Sequence, residues 1–284
     1  MVKIVCDSTC DLPADIVRNY GISVVPLHIV LDDCEYRDQV DITIEDIFKW
    51  CEETKSTPKT SAVSFEDAEA ALLPIAENND EAIIFVISES MSTTGNVFRM
   101  VIEDMDREDK MFVFDSQNLT VGIGLLAMEA SRMAAEGMNA REILCKLNSL
   151  KDKVRTSFVI DTLTYLARGG RCSGAAALAG SMFKIHPKIV VKDGAMDVDK
   201  KYRGQLHSVI MDYVHDLESE LKSAQKDRMF IVTSGIEENI IADVREYVES
   251  LGYFDEILFS YTGGVISSHC GPGTLGIVYI AEED

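Results

Sequence analysis

Apolar positions along this chain follow two periods in turn. Short runs of aliphatic and β-branched residues alternate with stretches in which apolar residues recur at every third or fourth position. The first kind reads as strands at residues 2–6, 22–30, 82–87 and 111–114. The second reads as helices at 13–20, 43–53, 64–78, 94–105, 121–136 and 140–154. Pro13 suits a first helical turn and Gly137 a stop between the last two helices. In the 64–78 helix, Phe65, Ala68, Leu72, Ile75 and Ala76 share a face, and Ser64 with Asp67 has the spacing of a capping box. The pattern then restarts, with strands at 156–160, 185–191, 229–233, 257–259 and 277–280 and a helix opening at 162–167. Leu206, Val209, Ile210, Tyr213, Val214, Leu217 and Leu221 form a helical stripe, and residues 240–251 form a second one. Such alternation predicts an α/β protein of two domains, with mostly parallel sheets and helices on both faces. The boundary falls after the two consecutive helices, giving domains 1–154 and 155–284.

Charge narrows the range of partners. The 284 residues carry 27 Lys+Arg against 48 Asp+Glu, a formal net charge of −21. That balance repels a phosphate backbone, so no nucleic-acid partner is expected, and it opposes stable docking on an anionic leaflet. The seven cysteines include no CxxC pair and read as free thiols of a reducing compartment, with no metal site. The chain opens directly on a strand pattern, and no apolar run approaches the roughly 20 residues needed to cross a bilayer. A cytoplasmic protein without a signal peptide is the expectation.

Short acids and hydroxyls follow the predicted strands. Val5-Cys6 leads into Asp7-Ser8-Thr9, Ile87 into Ser88, Phe114 into Asp115-Ser116, Ile160 into Asp161-Thr162 and Val232 into Thr233-Ser234. In open α/β sheets the ligand crevice lies outside those strand ends, although the same residue types also cap helices. Two hydroxyl-rich loops stand out, Thr60-Ser61-Ala62-Val63-Ser64 and Ser88 through Asn96, both suited to holding an anion. His269-Cys270-Gly271-Pro272-Gly273 sets an imidazole at the mouth of a constrained backbone. Nucleophile-elbow, phosphate-loop, zinc-protease and dinucleotide-binding motifs are absent, so no catalytic residue is assigned. A hydroxyl-rich site with one His fits binding better than turnover. The other reading is an enzyme that hydrolyses or transfers a group on a small phosphorylated or carboxylated metabolite.

In this order, these segments resemble the DegV family, whose characterised members are the fatty-acid-binding (FakB-type) subunits of bacterial fatty acid kinase. The resemblance rests on Asp7-Ser8-Thr9-Cys10-Asp11-Leu12, Thr60-Ser61, Ile87-Ser88 through Thr94 and Asp115-Ser116. In the second half it rests on Asp161-Thr162-Leu163-x-Tyr165-Leu166-x-x-Gly169-Gly170-Arg171 and His269-x-Gly271-Pro272-Gly273. It spans essentially the whole chain. It implies a two-domain protein enclosing one long-chain fatty acid, with no cofactor. The carboxylate would lie between the domains on Thr60, Ser61, Ser92 and His269, and the acyl chain would run into the C-terminal domain. A separate ATP-binding kinase subunit would phosphorylate the bound carboxylate to an acyl-phosphate, feeding phospholipid metabolism. Arg171 and Arg203 match basic positions that face the kinase or phosphate, and collecting the cargo would involve transient membrane contact. The chain departs from the family pattern at Ala62-Val63, where Gln-Pro is usual, and at Met91-Ser92-Thr93-Thr94, where Leu-Ser-Gly-Thr is usual. A Thr at position 93 would be strained if that turn needed a positive φ.

An acyl chain of about 16 carbons buries about 14 methylenes, worth roughly 11 kcal/mol before ordering and desolvation costs. Leu163, Leu166, Leu178, Met182, Phe183, Ile266, Leu275 and Ile277 are candidates for its tunnel wall. Hydroxyls and an imidazole can offset the cost of burying the carboxylate without placing a fixed cation in the pocket.

Overall fold

A computed structural model describes residues 1–172, 174 and 185–282 of the chain. The sequence candidates Leu178, Met182 and Phe183 lie outside the described residues. In the first half, strands β1 (Val2–Asp7), β2 (Ile22–Val25), β6 (Glu81–Val86) and β7 (Met111–Asp115) form a parallel sheet in the order β2-β1-β6-β7. Its strands are apolar on both faces, as a sheet covered on both sides requires. Ile4, Cys6, Ile83 and Phe85 enter one core with helix Val121–Ala135. Val5, Ile84 and Val86 enter another, with helices Phe65–Glu77 and Thr94–Asp104. A small antiparallel sheet of β3 (His28–Leu31), β4 (Cys34–Arg37) and β5 (Lys59–Ser61) lies beside the second core.

The second half builds a six-stranded sheet from β8 (Val154–Val159), β9 (Ile185–Lys192), β10 (Ala195–Arg203), β11 (Ala224–Ser234), β12 (Glu256–Tyr261) and β13 (Thr274–Ala281). Their order is β10-β9-β8-β13-β11-β12. Here the expectation of mostly parallel strands fails, because only β11 and β12 run parallel. The α/β class stands. For one pair the cause is local: β9 and β10 are joined by the Asp193-Gly194 turn, with φ of 50° and 77°, so they must be antiparallel, whereas β8–β9, β8–β13 and β11–β13 are set by long-range pairing.

One face of this sheet packs on helices Leu206–Asp216 and Glu238–Ser250. The other face, with Phe158, Phe230, Val232 and Val278, closes on the same core as helix Val121–Ala135. That helix is therefore apolar nearly all round, as its place between two sheets demands. Among the described residues, no helix is long and apolar enough to cross a membrane.

Candidate functional site

Between the two sheets lies a cavity of about 430 Å³. Four segments form most of its wall: the turn after β6 from Ile87 to Thr93, the end of β5 at Thr60 and Ser61, the hairpin residue Met196, and helix Gly264–Cys270, with Leu27, Leu119 and Arg171 adding to it. Three of the four segments carry the hydroxyl and imidazole groups singled out in the sequence. Thr60 Oγ1 lies 2.8 Å from His269 Nε2, joining two residues 209 positions apart. Ser92 Oγ lies 2.9 Å from Thr94 Oγ1 and accepts the Thr94 amide at 3.3 Å, so it closes the start of helix Thr94–Asp104 on the cavity wall. Thr93 has φ −92°, so this turn needs no left-handed residue and the β-branched side chain is unstrained. Ser61 also borders the cavity, but its hydroxyl donates to Glu35 Oε1 at 3.1 Å.

His269 is held as a neutral base. Its Nδ1 is buried without a hydrogen-bond partner among the described residues, and Gly169 approaches so closely that a Cβ there would lie 2.2 Å from that nitrogen. Burial, with a contribution from the positive charge of Arg171, lowers the imidazole pKa to about 4. Cys270 beside it stays a thiol, pushed up to about 12 mainly by burial. Arg171 stands on the rim, where it donates to the Gly169 carbonyl at 2.7 Å. Arg203 ends β10, is exposed, and does not line the cavity.

Glu89 and Ser90, in the turn after β6, also line the cavity, and the rest of the wall is apolar. Leu27, Ile87, Met91 and Leu119 come from the first half, and Met196, Val265, Ile266 and Cys270 from the second. Of the described wall candidates, Ile266 lines the cavity, while Leu163 and Leu166 are buried in the adjoining core without reaching it. Leu275 and Ile277 do not line it: alternation along β13 turns both, with Tyr279, to the opposite face of the sheet. Met196 escaped the sequence reading because charged residues interrupt the apolar pattern of β10. Helix Gly264–Cys270 escaped it because Gly-Val-Ile-Ser-Ser-His-Cys has no helical stripe.

A profile described as "Uncharacterised protein, DegV family" matches residues 1–282. The chain belongs to the DegV family. A DegV domain-containing protein of Caldanaerobacter subterraneus subsp. tengcongensis is 31% identical over 282 residues, covering 98% of each chain. Among solved structures, the DegV family protein of Thermus thermophilus, described as binding a fatty acid, superposes with a TM-score of 0.90. It is 29% identical, with 99% of each chain covered. A stearic acid-binding protein of Eubacterium ventriosum superposes at 0.85, with 27% identity and 99% of each chain covered. In this DegV protein the cavity thus lies within a fold that similar proteins use to hold a fatty acid.

Proposed function

We propose that this DegV protein binds one long-chain fatty acid, with its carboxylate at Thr60, Ser92 and His269 and its acyl chain along the apolar wall. The observation that carries this reading is the meeting of neutral hydroxyl and imidazole groups at Thr60, Ser92 and His269 with a largely aliphatic and sulfur-lined wall, Glu89 and Arg171 being the charged residues on the lining. A hydrocarbon gains about 0.8 kcal/mol per buried methylene. Its carboxylate would lose several kcal/mol on burial without donors, and hydroxyls with a neutral imidazole supply them. Met91 and Met196 add polarizable side chains that adapt to the shape of a chain. The Thermus and Eubacterium proteins support the ligand class.

In the same reading the protein presents its cargo to a separate ATP-dependent kinase, which forms the acyl-phosphate, and Arg171 serves that step from the rim. The chain itself supplies no catalytic group. Arg203, at the end of β10, would meet the same partner farther from the cavity.

Native mass spectrometry of the protein as expressed should show a mass increment equal to one acyl chain. Ser92→Ala and His269→Ala should weaken its retention while leaving the circular dichroism spectrum intact. Protein that carries no extractable lipid and binds none on titration would refute the reading. With the kinase and ATP, Arg171→Ala should lower acyl-phosphate formation more than fatty-acid affinity. Equal losses in both would remove Arg171 from the partner interface.

A further inference from the structure

The Asp7-Ser8-Thr9-Cys10-Asp11 segment touches no part of the cavity, yet its side chains reach three of the segments that line it. Asp7 Oδ2 accepts the amide of Ile87 at 2.8 Å. Ser8 Oγ accepts the amide of Leu27 at 3.1 Å and donates to Asp38 Oδ2 at 2.7 Å. Asp38 Oδ1 accepts the Gly264 amide at 2.7 Å, and Asp11 Oδ1 accepts the Gly263 amide at 2.7 Å. Ile87 and Leu27 line the cavity, and Gly263 and Gly264 begin the helix that brings Val265, Ile266, His269 and Cys270 to it.

We propose that Asp11 and Asp38 are positioning residues of this site: their carboxylates grip the first amides of helix Gly264–Cys270 and thereby set His269 against Thr60. The inference rests on the reading above, in which His269 serves the ligand's carboxylate.

The geometry gives the grip leverage. His269 lies five residues beyond Gly264, about 7.5 Å along a helix axis, so a tilt of about 10° at the start moves the ring by about 1.3 Å. That displacement is enough to break the 2.8 Å contact with Thr60. The helix meets the first half of the chain by hydrogen bonds at both ends, through Asp11 and Asp38 at its start and Thr60 near its finish. Its serines bond within the second half: Ser267 to Thr262 and Ser234, and Ser268 to the Gly264 carbonyl. The glycine at 264 permits the approach, since a Cβ there would lie 2.5 Å from Ile29 Cδ1 and 3.0 Å from Asp38 Oδ1 and would make those side chains shift.

Ordinary capping does not explain the choice of residues. A Ser or Thr gives a helix start the same kind of hydrogen bond without burying a charge. Here Asp7, Asp11 and Asp38 are all buried, and among the described residues none has a cation within salt-bridge distance. Burial pushes all three carboxyls above their ordinary range, and the amides of Ile87, Gly263 and Gly264 that they accept oppose that shift by favouring the ionised form. The shorter, stronger hydrogen bonds of a carboxylate hold a helix start more rigidly than a hydroxyl does.

The test compares stearic acid with octadecanol, which shares the chain and lacks the carboxylate. Asp38→Ala should lower stearic acid affinity about tenfold or more and octadecanol affinity by no more than about twofold. Asp38→Asn, which keeps the shape and one acceptor oxygen, should fall between Asp38→Ala and wild type. In a His269→Ala background the Asp38 substitution should have no further effect on stearic acid. Equal losses for acid and alcohol, or losses that multiply in the double variant, would overturn the proposal. The ring resonances of His269 in ligand-free protein give a readout independent of any lipid. A displaced signal in Asp38→Ala supports the grip and an unchanged one refutes it. Should wild type bind neither probe, the fatty-acid reading falls while this signal still decides the positioning role.

Discussion

At the scale of single residues, the site works by keeping its nitrogen base uncharged. A histidine ordinarily titrates near 6.5, and burial holds His269 at about 4. Between those values the unfolded chain binds a proton that the folded chain refuses, so this residue's contribution to stability is lost as the pH falls through that window. Asp7 acts in the opposite sense. Burial raises its carboxyl from 3.8 to about 6, so the folded chain takes up a proton first and acidification through that range favours it. His269→Gln removes only the first effect. Relative to wild type, the melting temperature of His269→Gln should therefore rise between about pH 7 and about pH 4.5, measured by calorimetry on both proteins. A constant offset would mean that His269 is not held neutral. The sequence named Thr60, Ser92 and His269 through residue type and family pattern. Asp11 and Asp38 escaped as positioning groups because an acid at a strand end or in a turn looks the same whether it faces solvent or a distant amide.

At the scale of elements, legibility followed apolar content. Helices such as Phe65–Glu77 and Thr94–Asp104 were readable within a residue or two, because each presents a continuous stripe to a sheet. The predicted strand at 22–30 divides into β2 and β3 around Pro26, which interrupts the backbone ladder. Strands β4 (Cys-Glu-Tyr-Arg), β5 and β10 carry too few apolar residues to announce themselves. The Thr60-Ser61 pair, read as loop, is part of β5, which pairs with β3. Ser64 caps its helix as the spacing suggested, while the Asp67 carboxylate accepts from the Ser64 hydroxyl and lies 2.9 Å from His28 Nε2. The β9–β10 hairpin is tied across the cavity by two serines, Ser88 and Ser90, whose hydroxyls both donate to the Gly194 carbonyl. Replacing both by Ala should speed amide hydrogen exchange in the hairpin by about tenfold while leaving helix Val121–Ala135 unchanged. Unaltered exchange in the hairpin would show that its turn holds without them.

At the scale of the whole molecule, one helix joins two sheets. Helix Val121–Ala135 packs against the parallel sheet and the six-stranded sheet in a single core, so a boundary at residue 154 separates the strands of the two sheets but runs through that shared core. Unfolding should accordingly be one transition by calorimetry and by circular dichroism. Leu126→Ala, at a fully buried position in this core, should lower that transition as a whole by about 2–5 kcal/mol. Two separated transitions, with only one of them moved, would contradict a shared core.

Periodicity, charge and short motifs determined the α/β class, the order of the main elements and the residue types that meet a carboxylate. These are local properties, written in spacing and composition. Tertiary structure alone decided that the second sheet is mostly antiparallel, that Leu275 and Ile277 turn away from the cavity, and that Asp11 and Asp38 reach the helix bearing His269. Those outcomes depend on strand register and on contacts between residues more than 200 positions apart, and no window of sequence contains both partners.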